Sequence, residues 1–295
     1  MQRTQSNTQG ESWERVTARH PCPVCAKPDW CCTSNGREVV YCMRVESDRP
    51  VDAGGWIHRL ADAPTSNPTI QTTKRRKSDA EQHAIYEPQA HRYARGNAGL
   101  IRTLADCLGV AQWTLRELGV GCGLIHEQWC YTFPEYNPQG QVVGINRRMR
   151  DGTKRCIQGS HRGLTYAGNW RDYQAGSVLI VEGPTDTAAA LTVGRCVLGR
   201  PSNSGGSAML AKMLAPLPDW RILVIGERDR KADGQWPGKR GAESVRRGLM
   251  RRLGRKIEWH MPPGKAKDFR EWLQEQDFDV NDKAVAFAAG RELYR

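Results

Sequence analysis

Short apolar runs alternate with helical stretches in the carboxyl-terminal part of the chain, and this pattern constrains the fold more than any other feature. The runs are SVLIVE (177–182), RCVLG (195–199), RILVIG (221–226) and KIEWHM (256–261). The helical stretches begin near Asp186, Ser207, Arg240 and Asp268. Strands that alternate with helices are joined by right-handed crossovers into a mostly parallel sheet. We therefore predict a Rossmann-like α/β domain whose parallel sheet is covered by helices on both faces.

Acidic residues follow these runs at the points where the strands end. Glu182 closes the first run and Asp186 lies near the start of the next helix, Glu227 and Asp229 follow the third run, and Asp268 follows the fourth. Ligands bind beyond the carboxyl ends of parallel strands, so these five carboxylates are predicted to meet at one edge. Like charges so close together are costly unless cations lie among them, and hard oxygen ligands suit Mg²⁺ or Mn²⁺. The pattern predicts a catalytic magnesium or manganese site that activates a 3′ hydroxyl and stabilises a pyrophosphate leaving group.

The loop GRPSNSGG (199–206) follows the second run at the same predicted edge. Its small residues let a phosphate or a template strand approach the backbone closely. We expect this loop to line the site.

Two motifs in this region resemble those of the Toprim fold of topoisomerases and primases. The motifs are E-G-x-x-D at 182–186 and E-x-D at 227–229, and the resemblance covers residues 176–275. It implies that Glu182 is the acid/base residue or a metal ligand, that Asp186 is a supporting or metal-linked carboxylate, and that Asp229 is a metal ligand. The family usually has Asp at the first position of the second motif. Here that position is Glu227, whose longer side chain reaches a metal differently or through water.

A strand pair rich in basic residues precedes this region. The segment FPEYNPQGQVVGINRRMRDGTKRCIQGSHRGLTY (133–166) resembles the N-terminal subdomain of the DnaG-type primase core. The resemblance implies that Arg147, Arg148 and Lys154 face the template and the incoming nucleotide, with Arg155 and Arg162 nearby. A hairpin turn at 151–152 is expected to bring the first three toward one groove, while Val142, Val143 and Ile145 pack inward. The alternative is that these basic residues form a solvated face.

Five of the ten cysteines lie between residues 22 and 42. Cys22 and Cys25 form a C-x-x-C knuckle, which orients two thiolates toward one tetrahedral zinc ion. The segment resembles the zinc ribbon at the amino end of DnaG-type primases, and in primases such a ribbon is thought to help select the template start site. The resemblance implies one structural zinc ion.

The fourth ligand of this site departs from the family pattern. The usual ribbon closes with a second paired knuckle, but here Cys42 is present and Val45 stands where its partner would be. We assign Cys31 as the fourth ligand beside Cys22, Cys25 and Cys42. Cys32 is expected on the opposite strand face, and His20 is the alternative ligand. The other possibility is a set of buried free thiols.

The chain divides into modules by composition. We predict a zinc-ribbon domain over 13–60, a flexible linker rich in Pro, Ser, Thr and basic residues over 61–84, an α+β primase-core subdomain over 85–175, the Toprim domain over 176–275 and a C-terminal tail over 276–295. The stretch LIRTLADCLGVAQWTLRELGVG (100–121) has the spacing of a helix-turn-helix pair. We interpret it as two packed helices of the larger domain, because few base-reading side chains share one face.

The formal net charge of +12 favours a polyanionic partner. No run approaches the roughly 18 apolar residues of a membrane span and no signal peptide is evident, so we expect a cytoplasmic protein that does not bind membrane. The resemblance implies a DNA primase that makes short RNA primers from nucleoside triphosphates on single-stranded DNA, with a replicative helicase as a candidate partner. The alternatives are a Toprim nuclease and a non-catalytic, zinc-containing DNA-binding replication protein.

Overall fold

The computed structural model describes residues 5–6, 12–49, 51, 55–60, 77–125, 127–232 and 234–294. The chain forms two compact units, residues 1–77 and residues 78–295. Most of the predicted linker, residues 61–76, lies outside the described residues. Among the helices described, none is long and apolar enough to cross a membrane.

The first unit is an antiparallel meander in which each strand pairs with the next one in the chain. Its strands are β1 (Gln5–Ser6), β2 (Ser12–Arg15), β3 (Cys32–Ser34), β4 (Val39–Cys42) and β5 (Trp56–Arg59). Its small core contains Val16 and Val40 together with Cys22, Cys31 and Cys42. A core this small buries little apolar surface, so a bound metal would contribute folding free energy here.

The second unit begins with three helices followed by an antiparallel sheet. The helices are α1 (Asp79–Ala94), α2 (Ala98–Leu108) and α3 (Gln112–Glu117). The strands, in their order across the sheet, are β6 (Gly121–Ile125), β7 (Gln128–Tyr136), β8 (Val142–Met149) and β9 (Lys154–Cys156). Strands β7 and β8 pair antiparallel and are joined by a turn that contains Pro138, Gln139 and Gly140.

Helix α1 begins within the segment that we predicted to be a flexible linker. Ser78 caps the helix, because its side chain accepts a hydrogen bond from the backbone of Glu81 while the Glu81 carboxylate accepts one from the backbone of Ser78. This capping box satisfies two backbone donors that a helix start would otherwise leave unpaired. Residues 79–84, which we placed in the linker, are therefore helical. Tyr86 and Tyr93 of α1 pack onto the sheet against Ile145.

The α2–α3 pair packs into the core of the second unit. Ile101, Leu104 and Leu108 of α2 and Leu115 of α3 are buried in the largest apolar cluster. Gly109 closes α2 in the left-handed conformation at φ 65°, which favours glycine at a helix end. The interpretation of two packed helices within a larger domain agrees with this burial.

A four-stranded parallel sheet follows, in the order β11-β10-β12-β13. Its strands are β10 (Ser177–Glu182), β11 (Val197–Arg200), β12 (Arg221–Ile225) and β13 (Glu258–His260), and all its pairings are parallel. The helices of this region are α4 (Gly183–Thr192), α5 (Ser207–Leu214), α6 (Pro237–Leu253), α7 (Phe269–Gln274) and α8 (Lys283–Arg291).

Alternate residues of the parallel strands serve two separate cores. Leu179 and Leu223 pack with α4 and α7 on one face, whereas Ile180 and Val224 pack with α5 and α6 on the other. Successive strand residues point to opposite faces, so continuous apolar runs are expected for strands buried on both sides. The prediction of a parallel sheet covered on both faces is confirmed.

The segment that we assigned to a C-terminal tail contains helix α8, which packs onto the unit. The guanidinium of buried Arg195 donates a hydrogen bond of 3.1 Å to the carbonyl of Gly290. A Cβ at Gly290 would lie 1.8 Å from the carbonyl oxygen of Val193, so only glycine permits this close approach. The tail is therefore part of the folded unit.

Candidate active site and metal centre

The carboxyl edge of the parallel sheet carries the five predicted carboxylates, which we call the acidic rim. Glu182 ends β10, Asp186 lies in the first turn of α4, and Glu227 and Asp229 follow β12, while Asp268 precedes α7. Gly183 joins β10 to α4 at φ 73°, a left-handed conformation that glycine adopts without strain. The strand ends therefore bring acids from distant parts of the sequence to one edge.

Asp186 is the buried member of the rim, with 5% of its surface exposed. Its two carboxylate oxygens accept hydrogen bonds of 3.4 Å from the backbone N–H groups of Phe269 and Arg270. Burial raises the pKa of Asp186 well above its usual range, and the charges of Asp268 and Glu227 raise it further. Asp186 thus ties α4 to the start of α7 beneath the rim.

Asp229 and Asp268 each hold the start of a helix. One carboxylate oxygen of Asp229 accepts a 2.7 Å hydrogen bond from the backbone N–H of Gly238 in α6. One oxygen of Asp268 accepts a 2.8 Å hydrogen bond from the backbone N–H of Glu271 in α7. Each bond engages a single oxygen of a carboxylate that has two. The helix starts therefore orient both side chains and leave them ligand atoms.

Glu227 is half-buried and lies against the first turn of α6. A Cβ at Gly238 would come within 2.4 Å of the Glu227 carbonyl oxygen, so glycine allows this contact. Burial raises the pKa of Glu227 to about 7, and the charges of Glu182 and Asp268 act in the same direction. The positive charge of Arg200 opposes this rise. A cation bound at the rim would relieve the repulsion that these shifts reflect.

The spacing of the rim differs from that of a compact metal cage. We looked in the described part of the chain for three or more His, Cys, Asp or Glu side chains whose ligand atoms lie within 4.8 Å of one another. Four cysteines meet this criterion, and the rim carboxylates do not. The rim carboxylates are therefore more widely spaced than that. Mg²⁺ usually keeps several water ligands and binds through one or two carboxylates, so an open rim suits it.

The four clustered cysteines are Cys22, Cys25, Cys31 and Cys42, the set chosen from the sequence. The Sγ atoms of Cys25 and Cys31 lie 3.6 Å apart, and those of Cys31 and Cys42 lie 3.9 Å apart. Tetrahedral zinc with Zn–S bonds of about 2.3 Å requires S–S distances of about 3.8 Å. The donor set and its spacing therefore fit a zinc ion.

The ionisation of these thiols is shared among them. Hydrogen bonds from Cys31 and Cys42 lower the pKa of Cys25 far below its ordinary value. The hydrogen bond to Cys25 raises the pKa of Cys31, and burial adds to this. Four thiols this close together cannot all ionise unless a cation offsets the repulsion between the thiolates. A soft divalent ion would supply that positive charge.

Other residues considered for this centre lie outside it. Cys32 is the first residue of β3 and is half-buried, and burial raises the pKa of its thiol. His20 is exposed and is not a member of the cluster. Val45, at the position of the absent second-knuckle cysteine, donates its backbone N–H to Cys42 Sγ at 3.4 Å. Val45 thus supports the centre through its backbone.

Two arginines near these sites, Arg44 and Arg200, were not predicted from the sequence. Arg44 donates to the Sγ atoms of Cys25 and Cys31 at 3.9 and 3.7 Å and also contacts the Asp29 carboxylate. Arg200, the last residue of β11, is fully buried beneath the rim. An arginine next to a turn ordinarily indicates an exposed side chain, so the local sequence carried no signal for either role.

The β8–β9 hairpin separates the basic residues that we expected to share one groove. Arg148 pairs with Lys154, and Arg147 pairs with Arg155. Residues paired across strands share a face, whereas Arg147 and Arg148, as neighbours on one strand, lie on opposite faces. The expectation that Arg147, Arg148 and Lys154 converge is therefore wrong, because it ignores the two-residue period of the strand. Val142, Val143 and Ile145 are buried, as expected.

The face that carries Arg148 leads toward the rim. Asn146 lies two residues earlier on this face and donates a 2.7 Å hydrogen bond to Glu135, which also accepts from Arg162. Arg162 in turn donates to the Pro201 carbonyl in the loop after β11. Burial lowers the pKa of Arg162, but the charge and hydrogen bond of Glu135 outweigh it and raise the pKa above its usual value, with a smaller contribution from the charge of Glu182. This face and the acidic rim are thus connected through Arg162.

Arg147 lies on the other face, where α1 packs against Ile145 and Met149. It lines a cavity of about 570 Å³ at the hairpin tip with Arg150, Arg155 and other residues of the two strands. Trp129, at the same cavity, is 52% exposed. The basic residues of the hairpin therefore form two groups, with Arg148 and Lys154 on the face toward Arg162.

Comparison with known proteins identifies the fold. No protein-family model and no curated protein matches the sequence. The E. coli primase catalytic core is 14% identical, and the match covers 71% of this chain and 79% of that chain with a TM-score of 0.51. The DnaG primase catalytic domain bound to single-stranded DNA is 12% identical over 72% of this chain and 78% of that chain, with a TM-score of 0.50. The chain has the fold of a DnaG primase catalytic core.

A further match extends the primase-like fold to nearly the whole chain. The zinc-binding and RNA polymerase domains of Aquifex aeolicus primase are 11% identical, and the match covers 97% of this chain and 80% of that chain with a TM-score of 0.50. The primase-like fold thus comes with the four-cysteine cluster near the amino end. Identities this low establish the fold alone, so the roles of individual residues depend on the geometry of the rim and the cysteine centre.

Proposed function

We propose that this protein is a DNA primase that joins ribonucleotides on a single-stranded DNA template by magnesium-dependent nucleotidyl transfer. The observation that carries the proposal is the acidic rim at the carboxyl edge of the parallel sheet, within a primase-like fold. In this proposal residues 176–275 are the Toprim catalytic domain and residues 85–175 are the core subdomain that precedes it. The substrates are nucleoside triphosphates and the template.

The reaction requires attack of a 3′ hydroxyl on the α-phosphate of the incoming nucleotide, with loss of pyrophosphate. Divalent ions at the rim would lower the pKa of the attacking hydroxyl and neutralise charge on the pyrophosphate. The proposed ligands are Glu227, Asp229 and Asp268. Glu227 follows strand β12, and the carboxylates of Asp229 and Asp268 bind the starts of α6 and α7. Glu182 is the proposed acid/base residue or an additional ligand. Asp186 supports the metal site from below, since both its oxygens already accept backbone hydrogen bonds.

The template and nucleotide phosphates are proposed to follow the face of the antiparallel sheet that carries Arg148 and Lys154. Asn146 and Arg162 continue this face toward the loop that follows β11. Basic side chains bind phosphates without reading the bases, and Tyr131, cross-strand from Arg148, adds an aromatic surface suited to stacking. Arg147 belongs to the opposite face and has a separate role or none in template binding.

The cysteine centre is proposed to hold one structural zinc ion. The four thiols have the spacing of a closed tetrahedral site, in which the metal contributes to folding rather than to catalysis. Family resemblance suggests that the zinc unit takes part in choosing where on the template synthesis begins. A replicative helicase is a candidate partner on the same basis.

The test is primer synthesis by the full chain on single-stranded DNA of mixed sequence, with labelled nucleoside triphosphates and Mg²⁺ or Mn²⁺. Metal-dependent formation of short RNA products complementary to the template is expected. Metal-dependent shortening of the template without nucleotide incorporation would indicate a Toprim nuclease instead. Template binding with neither activity would indicate a non-catalytic DNA-binding protein, the outcome expected if Glu227 in place of Asp prevents metal binding.

A further inference from the structure

Arg200 is a buried cation at the carboxyl ends of three parallel strands. Its side chain is fully buried, with 0% of its surface exposed. Nη1 donates hydrogen bonds of 3.2 and 2.9 Å to the carbonyl oxygens of Ile180 on β10 and Ile225 on β12. Strand β10 ends at Glu182, and Glu227 lies two residues beyond the end of β12. Nε donates a 3.1 Å hydrogen bond to the carbonyl of Asn203. These bonds fix the guanidinium to the sheet beneath the rim.

One nitrogen of this guanidinium faces Glu182 without a hydrogen bond. Nη2 has no hydrogen-bond partner among the described residues and lies 3.6 Å from Oε2 of Glu182. The Glu182 side chain is 28% exposed, so it lies between the buried guanidinium and the open side of the rim. A short rotation of the Glu182 side chain would form a hydrogen bond between Nη2 of Arg200 and Oε2 of Glu182. The planar guanidinium of Arg200 therefore sets the direction in which this carboxylate points.

Burial of a charge is costly unless it is compensated. Burial lowers the pKa of Arg200, and the charges of Glu182, Glu227 and Asp186 act in the opposite direction. A guanidinium remains charged in proteins, so these three acids are the groups that partly compensate its burial. A neutral side chain with N–H groups could donate hydrogen bonds to these backbone carbonyls equally well. We therefore attribute the need for a positive charge at Arg200 to its interaction with the rim carboxylates.

We propose that Arg200 is a positioning residue whose fixed positive charge orients Glu182 and takes the place of a divalent ion on the inner side of the acidic rim. This inference rests on the proposed function only in assigning Glu182 to the reaction. With the charge of Arg200 beside Glu182 and the backbone of α7 bound to Asp186, the residues that would hold a divalent ion are Glu227, Asp229 and Asp268. The site then has a protein-borne cation beside the divalent ion.

The consequence can be measured as metal affinity. A fixed positive charge beside a bound divalent ion repels it, so removal of that charge should strengthen binding, by about tenfold at an intermediate effective dielectric. Replacement of Arg200 by a neutral residue of similar length should therefore raise Mn²⁺ affinity while reducing the rate of synthesis. Loss of fold stability alone would lower both.

The experiment compares Arg200→Met and Arg200→Lys in the full chain, with zinc retained, by Mn²⁺ titration, thermal melting and steady-state synthesis. Arg200→Met should bind Mn²⁺ about tenfold more tightly and lose at least tenfold in kcat, with KM for nucleotide nearly unchanged. Arg200→Lys keeps the charge and should keep wild-type Mn²⁺ affinity, although it loses the fork and melts lower. If Arg200→Met does not fold, Arg200→Gln takes its place.

The matched control is Arg195→Met. Arg195 is equally buried and donates to backbone carbonyls, but at the amino end of the parallel sheet beside Ser177. It should melt lower than wild type without a change in Mn²⁺ affinity. If Arg200→Met and Arg195→Met behave alike in the Mn²⁺ titration, Arg200 is only structural and the inference is wrong. If wild type shows no synthesis but the Mn²⁺ affinities separate as expected, the proposed function fails and the charge role of Arg200 stands.

Discussion

Arg147 and Arg148 are neighbours in the chain, yet they lie on opposite faces of the antiparallel sheet. The register of β8 with β9 pairs Arg148 with Lys154 and Arg147 with Arg155. The face of Arg148 continues through Asn146 to Arg162 and the loop beside the rim. The same hairpin therefore carries two basic pairs of equal charge on opposite faces.

This difference gives an internal control for template binding. Arg148→Ala with Lys154→Ala should weaken binding of all single-stranded DNA sequences alike, because phosphate contacts do not read bases. Each lost contact should reduce the slope of log affinity against log salt by about 0.7. Arg147→Ala with Arg155→Ala removes the same charge from the other face and should leave the slope and primer yield near wild type. Fluorescence anisotropy at several salt concentrations measures both, and equal slopes for the two double variants would contradict the assignment.

The acidic rim should be essential for synthesis and dispensable for folding. Glu182→Gln and Asp229→Asn should each reduce nucleotide incorporation by about a hundredfold or more, since each removes a charge that the site needs and little volume. Asp229→Asn keeps a side-chain oxygen that can accept the hydrogen bond from the backbone N–H of Gly238, so its melting temperature should stay near that of wild type. The control is Asp219→Asn, because Asp219 is exposed just before β12, at the amino end of the sheet. Near-normal synthesis by Asp229→Asn would refute the metal-site proposal.

The cysteine centre should bind about one zinc ion per chain, the stoichiometry of a closed four-ligand site. Cys31→Ser should lose zinc and unfold the first unit more readily, because the metal supports its small core. Cys32→Ser changes the adjacent thiol, which is not a member of the cluster, and should retain zinc. Elemental analysis of the purified variants decides between them. Retention of zinc by Cys31→Ser and its loss from Cys32→Ser would assign the fourth ligand to Cys32.

The parallel sheet was predictable because each strand is a continuous apolar run followed by residues that end it. The strands at 177–182 and 221–225 have nearly the bounds predicted from the sequence. The acids that follow them lie at one edge because parallel strands all end on the same side of the sheet. The choice of Cys31 over Cys32 also followed from the sequence and agrees with the cluster. These features depend on local pattern and on the general rules of parallel sheets.

Other features depend on contacts between segments that are distant in the sequence. The burial of Arg200 requires carbonyls from β10 and β12, which no local pattern around residue 200 indicates. The packing of α8 depends on Arg195 and on the close approach of Gly290 to Val193. The support of Asp186 by α7 likewise joins residues more than 80 positions apart. Such roles become visible only when the fold is known.

The raised pKa of Glu227 links metal binding to pH. Its pKa is about 7 in the folded chain and near the ordinary value of 4.5 when unfolded. A pKa raised by folding contributes stability below the unfolded value, and that contribution is lost as pH rises through the folded value. The metal-free protein should therefore lose stability as pH rises through about 7, where Glu227 ionises beside Glu182 and Asp268.

A divalent ion at the rim should reverse this loss, because it stabilises the ionised carboxylates. At about pH 6 the ion must displace a proton from Glu227, whereas at about pH 8.5 Glu227 is already ionised. The rise in melting temperature caused by Mn²⁺ should therefore be larger at about pH 8.5 than at about pH 6, by several degrees. Glu227→Gln carries no ionisable group at this position, so the pH dependence of its Mn²⁺-induced rise should be much flatter. Thermal melts of both proteins with and without Mn²⁺ test this directly, and an equal Mn²⁺ effect at both pH values in wild type would remove Glu227 from the metal site.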